Sequence, residues 1–442
     1  MDLRKVYIAT LGCSKNEIDS ELMESILTDD NYSVASFLEE ANIIIVNTCG
    51  FIEDAKKESI EMIWEMTKYK TNGSCKYLIL AGCLAQRYSK ELLEEIEEID
   101  AIIGTGNIKN ISSIINKLDN NFKKIQQIDN INQIYLEDVS RINLNTTEYV
   151  KISEGCDNFC TYCIIPKLRG KHRSRYMEDI IKEVEYLVKN GVKEIIIIGQ
   201  NTSDYGIDIY GEYSLYKLID NLNKIEGIKW IRLLYLYPDN FSKDLINSIK
   251  NNHKVVKYID IPLQHIEDNV LKAMNRKTNK KDILSLIRSL RREIPGIIIR
   301  TTFIVGFPGE TENDFNQLCK FIREVKFDKL GVFSYSKEED TPAYNLPNQI
   351  PEEIKEKRKN KIMKIQKHIS EQNMMNKVNS IYTVLIEEYN GRNNYTGRSY
   401  MDSPDIDGVI YIDSLEELNI GDFVKVKIVD FLEYDLIGEV VI

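Results

Sequence analysis

YVKISEGCDNFCTYCIIPKLRGKHRSR, residues 149–175, decides how the rest of the chain is read. A strand-like start feeds a loop that holds Cys156, Cys160 and Cys163 in a C-x3-C-x2-C spacing. Three thiolates so close in sequence can wrap one metal cluster from one side. A [4Fe–4S] cluster normally takes four cysteines, so three leave one iron without a protein ligand. An open coordination position separates a catalytic centre from a structural one. A zinc site usually brings two CxxC-like pairs or added histidines, and none lies nearby. A disulfide pair would strand one thiol.

Outward from that loop, strand-like runs recur at EIIIIG (194–199), WIRLLYL (230–236), YIDIP (258–262), IIIRTTFIVG (297–306) and KLGVFSY (329–335). Helical patterns fall between them, such as MEDIIKEVEYLVKNG (177–191), which ends on glycine as helices often do. With YVKIS these make six βα repeats, which predict a partial or full parallel barrel with its site at the strands' carboxyl ends. The cysteine loop follows the first of those strands.

Towards the N-terminus, VYIATLG (6–12), NIIIVNT (42–48) and KYLILAG (76–82) alternate with helical stretches. Continuous apolar strands between helices indicate a parallel sheet covered on both faces. Each of the three runs is followed at once by a cysteine: Cys13, Cys49 and Cys83. The carboxyl ends of parallel strands lie along one edge, where α/β folds build their sites. Three cysteines remote in sequence thus converge, and the pattern predicts a second three-cysteine cluster. The plain alternative is buried core cysteine. Cys75, ahead of its strand, and Cys319, inside a helical pattern, fit that description better.

Towards the C-terminus, a charged helical stretch (351–378) leads to short alternating strands from 380 onward, the pattern of a small antiparallel β-barrel. The expected division is an N-terminal α/β domain at 1–115, a linker at 116–147, the central barrel at 148–372 and the terminal barrel at 373–442. The 442 residues carry a net charge of −11, and residues 380–442 hold thirteen acids against four bases, a net of −9. Such a surface repels phosphate backbones and attracts a basic partner. A hydrophobic content of 43% suits buried cores, yet no apolar run is long enough to span a bilayer. The chain opens on a strand-like run without a signal peptide's apolar region, and its cysteines sit in ligand-like settings. Both point to the cytoplasm.

The order of parts resembles the methylthiotransferases of the radical S-adenosylmethionine (SAM) superfamily: a three-cysteine N-terminal domain, a radical SAM core and a C-terminal TRAM barrel. LGCSKNEIDSE (11–21), VNTCGFIEDAKKESI (46–60), AGCLAQRY (81–88), the 152–175 segment and RSYMDSPDIDG (398–408) carry the resemblance, which covers essentially the whole chain. They are most similar to the branch that methylthiolates the β-carbon of an aspartate in ribosomal protein S-twelve. The MiaB-type branch acts instead on the adenosine next to a tRNA anticodon.

The resemblance implies two [4Fe–4S] clusters, with Cys156, Cys160 and Cys163 holding the catalytic one and Cys13, Cys49 and Cys83 the other. SAM would serve as both methyl donor and radical source, and a reducing electron-donor protein would feed the reaction. Two clusters suit the chemistry. An unactivated C–H bond gives acid or base no foothold, so a radical must break it, and a sulfur must then be supplied.

Other residues carry weaker signals. Tyr162 resembles the family's aromatic beside the SAM adenine, or is a packing residue. Gln200 and Gln264 follow the second and fourth barrel strands, and Arg300 and Thr302 alternate on another. Gly306 lies in FIVGFPGETEND (303–314), a strand-to-helix turn resembling a SAM-binding turn, although such turns are often only tight connections. The basic run Lys167, Arg169, Lys171, His172, Arg173, Arg175 offers a hold for the SAM carboxylate, an acidic substrate or RNA phosphate, or is a solvated surface. The acidic tail favours a basic ribosomal protein over RNA as substrate. A non-catalytic iron–sulfur protein that binds ribosomes or carries electrons is the reading from another class.

Overall fold

The first sheet grows outward from its most apolar strands. A computed structural model of the chain describes residues 4–128, 131–132 and 141–441. The strands are β1 (Lys5–Thr10), β2 (Ser33–Val34), β3 (Ile43–Thr48), β4 (Tyr77–Ala81), β5 (Ile99–Ile103) and β6 (Ile125–Gln127). They lie parallel in the order β2-β1-β3-β4-β5-β6. Every residue of β3 and β4 is buried. Alternate side chains divide between two cores: Ile43, Ile45 and Ile79 face one, Ile44, Val46, Leu78 and Leu80 the other. Of residues 116–147, residues 129–130 and 133–140 lie outside the described part. The rest includes the end of the helix Ile111–Asp119 and the edge strand β6.

The six βα repeats form the second sheet. Its strands are β7 (Thr147–Lys151), then, after a two-stranded antiparallel pair β8 (Ser153–Glu154) and β9 (Arg173–Ser174), β10 (Glu194–Ile198), β11 (Trp230–Leu233), β12 (Val255–Asp260), β13 (Ile298–Val305) and β14 (Lys329–Ser334). Spatial order follows chain order from β7 to β14, all parallel, and β7 and β14 remain edges. This is a partial barrel. The helix Glu352–Met375 covers β14 and the helix Glu312–Val325 from outside.

The tail closes into a barrel, β15 (Ile381–Gly391), β16 (Asn394–Ser399), β17 (Ile410–Asp413), β18 (Phe423–Phe431) and β19 (Leu436–Val440). Neighbours are antiparallel except β17 and β19, which run parallel. Its core merges with the inward residues Ile196, Trp230, Tyr258 and Ile298 of the partial barrel. The segment 398–408 makes the joint. Arg398 pairs with Glu194 at 2.7 Å, Lys329 with Asp402 at 2.7 Å, and the Tyr258 hydroxyl donates to Asp407 at 2.7 Å. All of these groups are buried or nearly so, where pairing is what makes charge tolerable.

Candidate active site

β1, β3 and β4 are neighbours in the first sheet, so the loops after them meet at one edge. Cys13 caps the helix Ser14–Asp29, Cys49 follows β3, and Cys83 lies in the first turn of the helix Gly82–Arg87. Gly12 has φ +96°, and a Cβ there would come within 2.7 Å of the Cys49 Cβ. Only glycine lets these two loops approach so closely. Asn16 and Asn47 lock the edge: the Asn16 amide donates to Leu11 O at 2.8 Å, and the Asn47 amide to Asn16 O at 2.8 Å. Ser59 holds the backbone of Cys49, accepting from its N–H at 3.0 Å and donating to its carbonyl at 2.9 Å.

The second loop is pinned as firmly. Gly155, at φ +73°, allows Cys156 N–H to donate to Gly170 O at 3.1 Å; a Cβ there would collide with Lys171 O. Thr161 donates through its N–H to Met274 O and through its hydroxyl to Ala273 O. Asn275 caps the carbonyls of Asn158 and Phe159. The Asn158 amide reaches the Cys156 sulfur at 3.5 Å, and the Tyr237 hydroxyl stands 3.8 Å from the Cys160 sulfur. Arg276 lies 3.8 Å over the Tyr237 ring.

The two loops face each other. Cys83 packs against Ile164 and Leu168, and the Thr105 hydroxyl donates to Leu168 O at 2.6 Å. A buried charge network crosses the same seam. Arg169 pairs with Asp19 at 2.9 Å and with Glu154 at 3.2 Å, and its guanidinium donates to Asn16 at 2.6 Å. Lys151 pairs with Asp19 at 2.5 Å and with Glu154 at 2.8 Å. Each of these buried charges has an opposite partner in the seam, which is what makes its burial tolerable.

Burial pushes the Cys49 thiol up to about 12, and the Cys83 and Cys13 thiols push it the same way. Burial also raises Cys83, against the pull of Arg169. It pushes Cys156 up to about 11 and raises Cys163 well above the ordinary thiol range, with the neighbouring cysteines adding to the rise. Buried thiols that oppose one another's ionisation gain most from a shared cationic centre. An all-cysteine donor set suits a polynuclear iron–sulfur cluster, where each iron takes its own thiolate.

Of the other positions marked by sequence, Tyr162 is half-buried against Val270, Met274 and Phe307 beside the second loop. Gln200 joins the charge network, its amide donating to Glu154 at 2.6 Å. Gln264 adopts φ +70° in the loop after β12, with its side-chain oxygen buried and without a hydrogen-bond partner among the described residues. Arg300 faces inward as its alternation suggests, but it pairs with Asp260 at 3.1 Å and approaches Asp407 of the terminal barrel at 3.7 Å. Gly306 is a packed connection. Its N–H is engaged by the Glu310 carboxylate, and the space for a Cβ is filled by Lys355. Half of the basic run is internal: Arg169, His172 and Arg175 are buried, Arg175 pairing with Glu183 at 2.5 Å. Lys167 and Lys171 are its exposed members.

Sequence reading missed Tyr237, Arg276, Lys15 and Glu338. Lys15, two residues after Cys13, is buried 2.8 Å from the Tyr235 ring centre, and burial pushes its ammonium down to about 7. Glu338 joins the domains, pairing with Arg87 at 2.7 Å and Lys56 at 2.9 Å. The local signals were faint: Tyr237 directly follows the strand run 230–236, and Glu338 opens the acidic run Glu338-Glu339-Asp340 shortly after another.

Three family descriptions match the chain: the radical SAM superfamily at 150–322, an uncharacterised protein family (UPF0004) at 5–104 and the TRAM domain at 378–441. The fold resembles the radical S-adenosylmethionine methyltransferase TsrM from Kitasatospora setae, with a TM-score of 0.57 and 13% identity over 74% of this chain and 72% of that one. "Ribosomal protein uS12 methylthiotransferase RimO" of Clostridioides difficile (strain 630) is 51% identical, covering 99% of this chain and 98% of the relative. The protein of the same name from Thermoanaerobacter sp. (strain X514) is also 51% identical, over 99% of this chain and 100% of its own length. No helix among the described residues is long and apolar enough to cross a membrane. With half its residues shared over nearly the full length of these relatives, the chain belongs to the RimO family of radical SAM methylthiotransferases.

Proposed function

We propose that this chain adds a methylthio group to the β-carbon of an aspartate in ribosomal protein uS12. The observation that carries this reading is the juxtaposition of two three-cysteine sets, with Cys83 against Ile164 and Leu168 of the other loop. A reaction that breaks a C–H bond and then installs sulfur needs both centres to reach one substrate carbon. Cys156, Cys160 and Cys163 would hold one [4Fe–4S] cluster and Cys13, Cys49 and Cys83 a second. When bound, the clusters and SAM supply the electron, the radical, the sulfur and the methyl group.

The chain's own residues set the stage. Thr161 and Asn275 fix the second loop against the 273–275 turn. Arg169, Asp19, Glu154 and Lys151 hold the seam between the loops and keep it dry. Arg276 and Tyr237 place a hydrogen-bond donor at the Cys160 sulfur. The tail's acidic surface supports a basic protein as substrate. The burial of Arg169, His172 and Arg175 in internal contacts leaves only part of that run facing outward, which favours the protein substrate over RNA.

An anaerobic preparation should contain two [4Fe–4S] clusters per chain. Replacing Cys156, Cys160 and Cys163 together by Ala should leave one cluster and abolish SAM cleavage. Replacing Cys13, Cys49 and Cys83 should also leave one, but SAM cleavage should persist without methylthio transfer. Iron analysis, the yield of 5′-deoxyadenosine, and mass spectrometry of uS12 and tRNA offered side by side read these outcomes. A single cluster in the unmutated chain, or a methylthio group on the tRNA, would overturn the reading.

A further inference from the structure

A groove of about 800 Å³ runs between the helices Glu312–Val325 and Glu352–Met375 on the outer flank of the partial barrel. Five exposed cations line it, Arg323, Lys326, Lys357, Lys361 and Lys364, and among the described residues no carboxylate does. The two helices sort their charges. Lys320, Lys355, Arg358, Lys359 and Lys367, which lie outside the groove, each pair with a glutamate. The five inside it form no such pair among the described residues. In a chain with 69 acidic residues and a net charge of −11, a groove cleared of carboxylates is a feature of placement, not of composition.

The shape of the array narrows the ligand. Lys357, Lys361 and Lys364 share one helix face, and the row continues to His368, ~16 Å along the axis at 1.5 Å per residue. A single phosphate would call for converging donors; a row fits a linear polyanion. Ile365 and Ile369 supply an apolar floor between the cations, suited to sugar and base faces. The row also starts near the reaction edge. Lys355, one half-turn before Lys357, donates to Tyr335 O just past the carboxyl end of β14.

We propose that this groove binds the phosphodiester backbone of RNA and docks the enzyme on the ribonucleoprotein that presents its protein substrate. The proposal rests on the ribosomal-protein reading above. It separates two roles that a single RNA-binding surface would merge: the RNA is the platform, and the protein is the substrate.

The test uses the full, cluster-loaded chain with a fluorescein-labelled 20-nucleotide RNA, and a poly-glutamate peptide of equal length as the acidic-protein probe. Five neutralised phosphates predict a slope of log K against log salt of about −3.5, and replacing Lys357, Lys361 and Lys364 by Glu should flatten it by about 2. That triple variant should lose at least tenfold in RNA affinity at 100 mM salt. The corresponding triple Gln variant should show a smaller loss in the same direction, which guards against misfolding. Lys359→Glu, outside the groove, should bind RNA as the unmutated chain does. The triple Glu variant should still modify free uS12. If the unmutated chain modifies no uS12, the functional reading fails while the RNA titration still judges the groove. RNA affinity unchanged in the triple variant, or poly-glutamate bound as tightly as RNA, would overturn the proposal.

Discussion

Cys160 has the most fully built surroundings of the cysteines in the second loop. The Tyr237 hydroxyl is 3.8 Å from its sulfur, and Arg276 sits 3.8 Å over the tyrosine ring. A cation on the π face draws electron density from the ring and makes its O–H a better donor. A donor at a ligand sulfur stabilises the more negative, reduced form of a cluster and so raises its potential. Tyr237→Phe removes that donor and keeps the ring beneath Arg276. A hydrogen bond worth about 1 kcal/mol corresponds to a fall of ~40 mV for one electron. A redox titration followed by electron paramagnetic resonance, on a chain whose Cys13, Cys49 and Cys83 are Ala, measures it. An unchanged midpoint would remove Tyr237 from the tuning of the centre. The cysteines themselves were legible because their signal is local: fixed spacing in one loop, strand ends in the others. Tyr237 lies 77 residues from Cys160; it directly follows the strand run 230–236, at the end where sites are built, but a lone tyrosine there carries no ligand spacing of its own.

At the scale of elements, the segment from Tyr335 to Ala343 ties the two cysteine loops together. On one side Glu338 pairs with Arg87 and Lys56, and Arg87 also donates to Gly50 O, next to Cys49, at 3.1 Å. On the other, Ala343 N–H donates to Thr161 O, between Cys160 and Cys163, at 2.9 Å. Glu338 and Arg87 are almost wholly buried, and the Ser336 hydroxyl, Arg87 and Lys56 together hold the glutamate below the usual carboxylate range despite burial. Removing one partner of such a pair leaves a buried charge and costs about 3–5 kcal/mol. Glu338→Ala should therefore speed hydrogen exchange in the segments around Cys49 and Cys83 of the cluster-free chain. In the loaded enzyme it should raise the ratio of 5′-deoxyadenosine to methylthio product several-fold. Equal exchange and an equal ratio would show that the clasp does not set the register of the loops. Long apolar strands such as β3, β4 and β10 were legible from their continuity. β6 and β16 were not: the first has three residues at a sheet edge, and the second, NYTGRS, buries one aromatic, Tyr395, beside polar residues and an ion-paired Arg398. The basic run 167–175 misled as a surface for the same reason, because its partners Asp19, Glu154 and Glu183 come from distant elements.

Across the whole molecule, charge is sorted into patches of opposite sign. The tail's net of −9 is not all surface: Glu387, Asp402 and Asp407 are spent in the joint with the partial barrel. Asp413, Glu416 and Glu417 remain exposed at the end of β17 and in the loop beyond. The lysine groove gathers its cations on the outer helices. A basic protein and its RNA would then be drawn to different patches of one enzyme, and salt should weaken both attractions. Replacing Asp413, Glu416 and Glu417 by Lys should lower kcat/KM for free uS12 about tenfold at low salt and leave kcat unchanged, since steering acts on encounter. The gap should close near 0.5 M salt, as the Debye length shrinks from about 10 Å at 0.1 M towards 3 Å at 1 M. Steady-state kinetics on the free protein at both salt concentrations decide it. If kcat falls along with kcat/KM, or the gap persists in high salt, those carboxylates act through structure or direct contact rather than by their field.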